Sequence, residues 1–208
     1  PQSYPPAAQP ADWVPTSLVR QQQTPLLPGW GQNRTFALAA DEACTLPPPP
    51  AYSETPGSAF HAEALEVYDV SRSLTDEQRR IARFWSDDPM LSPTPPGHWL
   101  AIAMSCLETE AASVARRAEV LMLLGVTMAD AFIACWRDKY AYNLLRPVTY
   151  IRLLIDAAWE PLLITPPFPE YPSGHSTQSG AAAAVMTRYF GDDFAFTDRT
   201  NEDDGMSG

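Results

Sequence analysis

Where apolar positions along this chain follow any period, it is the helical one. Phe60, Ala64 and Val67 recur at i, i+4 and i+7, the spacing of one packed helix face. They predict a helix that opens near Ala59, with His61 off the packed face and in solvent. Thr75-Asp-Glu-Gln78 is a capping box ahead of Ile81, Phe84 and Trp85. A second helix therefore starts at about Thr75 and ends before Pro89. Leu91 to Gly97 reads as a proline-rich turn, and His98-Trp99 opens a third helix through Ile102 and Cys106. A histidine beside a helix start reads as a cap or a surface residue. Ala118 to Trp136 is the most apolar stretch and approaches the ~20 residues a bilayer requires. Glu119 and Asp130 interrupt it, and an acid at mid-bilayer costs roughly 2.5–3.5 kcal/mol. A buried central helix continuing to Lys139 is the better reading, with Asp130 meeting a polar partner inside. Pro147 suits the first position of a short helix, Val148 to Ala158. Leu162 to Tyr171 is a Pro-rich connector, and Ser173 caps a last helix that runs to about Phe190. No strand-like alternation and no internal repeat stands out. The class is all-α, a helical bundle.

The proline distribution adds an organisation. Pro1 to Pro56 holds most of the prolines, including the run Pro47 to Pro50, which favours extended backbone. Trp13, Trp30 and Phe36 within it predict an irregular arm lying on the helical body. The expected division is an arm over 1–57 and a bundle over 58–208. The polar, acidic tail from Thr197 to Gly208 is expected to be mobile.

Composition narrows the partners. The 208 residues suffice for a domain with a core, and 45% are hydrophobic. A formal charge of −11 argues against nucleic acid or an anionic membrane surface as partner, and no transmembrane segment is expected. Cys44, Cys106 and Cys135 are an odd number without a framework spacing, so no disulfide scaffold is expected. Cys106 and Cys135 sit in apolar text and read as core residues. A secretory leader, if the gene has one, lies upstream of Pro1.

Two stretches carry candidate chemistry. In Phe168-Pro-Glu-Tyr-Pro-Ser-Gly-His175, Pro172 stops what precedes and Ser173 caps the helix that follows. The first turn then presents free backbone N–H groups near Gly174 and His175, a ready site for a tetrahedral oxyanion. His175 stands where it could exchange a proton with such an anion. A plain cap beside a surface histidine explains the same residues equally well. About thirty residues upstream, Lys139 and Arg146 are seven apart. On a continuous helix they share a face to within about 20°, with Asn143 between them. Pro147 then ends the helix near Arg146. A point-charge donor and a planar fork on one face suit an anion with several oxygens.

These motifs resemble a known superfamily. Lys139, six intervening residues, Arg146-Pro147, and then Pro172-Ser173-Gly174-His175 are similar to the first two of three signature motifs of the vanadium-dependent haloperoxidases and type 2 phosphatidic acid phosphatases. The flanks WRDKYAYNLLRPVTYIR and PFPEYPSGHSTQSGAAA resemble the soluble bacterial haloperoxidase-like members. The likeness extends back through Gly97-His98-Trp99 to Pro28-Gly29-Trp30-Gly31.

The resemblance implies a bundle of that superfamily's type and a vanadate cofactor, with phosphate able to occupy the same place. Lys139 and Arg146 would hold equatorial oxygens, Ser173 and the Gly174 amide would donate to them, and His175 would handle protons. Lys139 would also make the bound peroxide oxygen more electrophilic. The implied partners are hydrogen peroxide, a halide and a small organic acceptor, or else a phosphomonoester. Assembly into a homo-oligomer stays open. The third motif, with the histidine that is the axial vanadium ligand or the phosphatase nucleophile, is not among these 208 residues. The chain thus resembles a piece cut before that motif. By itself it is expected neither to hold vanadate tightly nor to oxidise bromide. A non-catalytic helical module that keeps the anion pocket is the reading from another class.

Overall fold

Helix starts follow their capping residues closely. The computed structural model describes residues 7–17, 24–39, 45–87 and 94–202. Among these are six α-helices, a 3-10 turn at Trp30–Gln32 and no strand. They are α1 (Ala59–Arg72), α2 (Asp76–Phe84), α3 (Thr94–Thr109), α4 (Val114–Tyr142), α5 (Pro147–Leu154) and α6 (Gly174–Phe190). Ser58 caps α1 by accepting from the His61 amide. At α2 the box closes both ways: the Gln78 amide donates to Thr75 Oγ1 at 3.2 Å, and the Thr75 amide to Gln78 Oε1 at 2.9 Å.

Four expectations need correction. In α1 the packed stripe is Phe60, Ala64 and Tyr68, while Val67 is 40% exposed: the covered side is the one toward Ala64, from which Tyr68 is about 40° away and Val67 about 60°. Helix α3 begins at Thr94, four residues ahead of His98. Pro95 and Pro96 occupy its first turn, where a missing N–H costs nothing, so the supposed turn is helix. Helix α5 ends at Leu154, short of Ala158. There Asp156 takes over: its amide donates to Ile151 O, and its carboxylate accepts from the Ala158 amide at 3.0 Å. The described part of the tail is held in place, since Asn201 is 1% exposed and donates to Phe84 O at 2.9 Å. Cys44, Pro89, 91–93 and 203–208 lie outside the described residues.

The chain forms two compact units. The first comprises Pro1–Asn33, Cys44–Arg79 and Cys135–Pro172. Its core is Phe60, Ala64, Leu145, Val148, Tyr150, Ile151 and Trp159. Proline-rich chain is tied down within it: Trp13 N donates to Asn143 O, Leu26 N to Pro167 O, and Trp136 Nε1 to Leu26 O. Gly31 passes so close to α4 that a Cβ there would lie 2.4 Å from the Arg137 backbone. The second unit comprises Arg34–Ala43, Arg80–Ala134 and Ser173–Gly208. Ile102, Ala103, Cys106, Leu124, Met128, Ala182, Val185 and Met186 form its core.

Helix α4 is the one helix among the described residues long and apolar enough to cross a bilayer. It is half-buried rather than enclosed: Val120 and Leu124 are fully covered, while Met122 is 58% exposed. Asp130 does find a polar partner. Its carboxylate accepts from three consecutive amides, Phe36, Ala37 and Leu38, at 2.7–2.8 Å. Burial alone would raise its pKa; the three N–H groups outweigh burial and hold it below the usual carboxylate value.

Candidate anion site

Lys139 lies in the last turn of α4 and is 1% exposed. Its Nζ donates to Pro169 O and Glu170 O, each at 2.9 Å, and to Pro172 O. An ammonium has three protons, and all three have carbonyl acceptors. The Phe168 ring lies 5.1 Å from Nζ. The Lys139 pKa is lowered to about 8, chiefly by burial and next by the neighbouring Arg146 guanidinium, with Cys135 and Glu170 opposing them.

Helical spacing does not bring Lys139 and Arg146 together. Helix α4 ends at Tyr142, and Asn143 takes φ 48°, where asparagine ends helices readily. The Asn143 amide bonds to Lys139 O, and Leu144 forms an isolated bridge with Asp12. Asn143 is thus a helix terminator and not part of a shared face. Arg146 is extended, with ψ 148°, because Pro147 disfavours helical geometry before it; it stands as the first residue outside α5.

What unites the two cations is the segment 166–172. Arg146 Nε donates to Phe168 O at 2.7 Å, Nη2 to Pro166 O at 3.3 Å, and Nη1 to Glu170 Oε2 at 2.6 Å. Its Cζ sits 4.7 Å from the Phe168 ring centroid. Phe168 therefore lies against both cations. The Tyr171–Pro172 peptide bond is cis, and Cys135 Sγ approaches Pro172 O at 3.9 Å. Sequence reasoning missed Phe168 and Glu170. Their one visible clue was position, inside the stretch that leads into Pro172-Ser173.

Ser173 follows Pro172 directly and begins the other half of the candidate set. It caps α6 as expected: its Oγ accepts from the Ser176 amide at 3.2 Å and its carbonyl from the Thr177 amide at 3.1 Å. The Gly174 and His175 amides point out of the first turn with no such partner among the described residues. His175 is exposed, and its Nε2 lies 3.2 Å from Ser86 O. A carbonyl only accepts, so Nε2 is the donor in this contact, and Nδ1 makes none among the described residues.

His98 is no surface residue. It is fully buried and stacked on Trp85, with ring centroids 4.5 Å apart. Nδ1 is 2.9 Å from Asp87 and Nε2 is 2.7 Å from Asp198. Burial by itself would lower its pKa, but the two carboxylates outweigh burial and the net shift is upward. Nothing in the sequence pairs carboxylates 11 residues before it and 100 after it.

Comparison with known proteins bears on what such a set is for. Residues 119–207 match a family described as the VCPO second helical-bundle domain. The chain is 31% identical over 88 residues to vanadium chloroperoxidase from Curvularia inaequalis, covering 35% of this chain and 14% of that protein. A crystal structure of a bacterial vanadium-dependent iodoperoxidase superposes with a TM-score of 0.87 and 43% identity over 95% of this chain. All of these likenesses are to vanadium haloperoxidases. This chain spans 49% of the iodoperoxidase chain.

This likeness makes vanadate the group to test against the residues present. The set consists of donors: an ammonium, a guanidinium, a hydroxyl, helix-start amides and an imidazole, a match for an oxyanion. Arg146 uses three of its five N–H groups in the contacts above, leaving two. Lys139 has none to spare, so contact with an oxyanion requires it to release one carbonyl. With that exchange the donor types present suit vanadate or phosphate chemically.

Proposed function

We propose that this chain carries the cationic and helix-start part of a vanadate-dependent haloperoxidase, which oxidises halide with hydrogen peroxide. The observation that carries this reading is two buried cations, Lys139 and Arg146, held side by side on the segment that runs directly into Ser173. In an acidic chain, two adjacent buried positive groups with one carboxylate between them leave a local surplus of positive charge.

Arg146, Ser173 and Gly174 would hold the oxyanion's oxygens, and Lys139 would join them after releasing a carbonyl. Vanadate, when bound, activates peroxide toward attack by halide. His175 Nδ1 would take or return the proton that accompanies peroxide binding. The iodoperoxidase likeness makes iodide the first halide to try. The same donors would accept a phosphomonoester, so acid phosphatase activity is the second reading.

The test is peroxide-dependent iodide oxidation by the full-length protein, with and without orthovanadate, beside hydrolysis of p-nitrophenyl phosphate. Vanadate-dependent iodide oxidation that collapses in His175→Ala, with unchanged circular dichroism, is the expected result. Phosphatase turnover without halide oxidation would move the assignment to the second reading. Neither activity, in protein that still binds phosphate, would leave the non-catalytic module.

A further inference from the structure

Glu170 has a use beyond turn geometry. Its backbone is fastened on both sides: its amide donates to Leu144 O at 2.9 Å and its carbonyl accepts from Lys139. Its side chain is not fastened in this way. It is 38% exposed and meets Arg146 through a single 2.6 Å hydrogen bond, whereas the guanidinium it touches is 10% exposed. A half-exposed carboxylate thus sits on the buried guanidinium that lies beside Lys139. A carboxylate oxygen and an oxyanion oxygen are interchangeable partners for a guanidinium N–H.

We propose that Glu170 is a built-in anion surrogate, which occupies Arg146 Nη1 until an incoming oxyanion displaces it. This rests on the reading of Lys139 and Arg146 as oxyanion ligands. A tethered competitor acts at a high effective concentration. It therefore sets a threshold: anions with four oxygens and two or more charges, such as vanadate and phosphate, displace it, and singly charged anions such as nitrate do not. It also keeps the two cations partly neutralised between turnovers.

Phosphate and orthovanadate are titrated calorimetrically into the full-length protein as wild type, Glu170→Gln, Arg146→Ala and the double variant. Vanadate uptake is read independently from its ⁵¹V resonance. Removing the competitor should tighten both anions on the order of tenfold, the size of one charge-assisted hydrogen bond, and let nitrate bind. In the Arg146→Ala background Glu170→Gln should do nothing. A merely structural glutamate would weaken binding when removed, so equal or weaker affinity in a folded Glu170→Gln protein overturns the proposal. If Glu170→Gln fails to fold, Glu170→Asp, which withdraws the carboxylate by one methylene, must tighten binding instead. If wild type and variants alike bind neither anion at millimolar concentration, the oxyanion reading itself has failed and this proposal falls with it. Binding by wild type with no response to Glu170 overturns the proposal alone.

Discussion

Asp130 and Lys139 lie nine residues apart on α4 and use mirror-image devices. Asp130 gathers three backbone N–H groups from 36–38, and Lys139 gathers three backbone carbonyls from 169–172. Each fastens irregular chain to α4. Yet one charge is at ease and the other is not. Asp130 has its pKa lowered, so its charged form is favoured; Lys139 has its pKa lowered to about 8, so its charged form is disfavoured. Burial is the largest cause at Lys139, and Arg146 adds to it. Asp130 faces neutral donors, whereas Lys139 has a second buried cation beside it. A fastening device becomes a candidate binding site when charge is left over.

The largest expected effect breaks the surplus directly. Arg146→Ala should lower phosphate and vanadate affinity by about 100-fold or more, since two or more charge-assisted contacts go; titration of the folded variant checks this. Next is His98, a buried imidazole held between two carboxylates. His98→Ala strands both and should cost about 3–5 kcal/mol in urea unfolding, with anion affinity unchanged. A loss in affinity rather than in stability would reverse the roles given to the two clusters.

The mirror pair itself gives a smaller contrast. Asp130→Asn should cost about 2–3 kcal/mol, because three charge-assisted bonds weaken. Lys139→Met should cost less, about 1–2 kcal/mol, because release from Arg146 offsets part of the lost bonding. Equal costs would remove the distinction.

The smallest effects are slopes of stability with pH, and they differ in sign. Between about 8 and 10.5 the unfolded chain keeps the Lys139 proton that the native chain has lost, so stability rises with pH there, and Lys139→Met flattens the rise. His98 acts oppositely: its contribution is complete below 6.5 and is lost as pH climbs through its raised native value. That of Asp130 is present above 3.8 and fades as pH falls through its lowered native value. Urea midpoints across pH separate the three.

Much of the helical framework was legible because local chemistry decides it. Ser58, Thr75-Gln78, Pro147 and Ser173 each start a helix through contacts within four residues. Errors came where a rule was right but its context was not. Pro95-Pro96 looked like a break and is a helix start. Asn143 looked like one residue of a continuous helix and ends it. The pairing of Lys139 with Arg146 was foreseen for a reason that fails, helical phase; the cause is a shared row of carbonyls more than twenty residues away. His98 with Asp87 and Asp198, and Asp130 with 36–38, depend on chain brought from far away, which no local spacing encodes.

In the proposed function, one tetrahedral anion would engage both the Lys139–Arg146 cations and the start of α6. Crystals of the full-length protein soaked in phosphate or orthovanadate test it most directly. The account predicts a single anion within hydrogen-bond reach of Arg146 and of the Gly174 amide, with Glu170 displaced from Nη1. An anion bound elsewhere, or none, with Lys139 still on its three carbonyls and Glu170 still on Arg146, would contradict it.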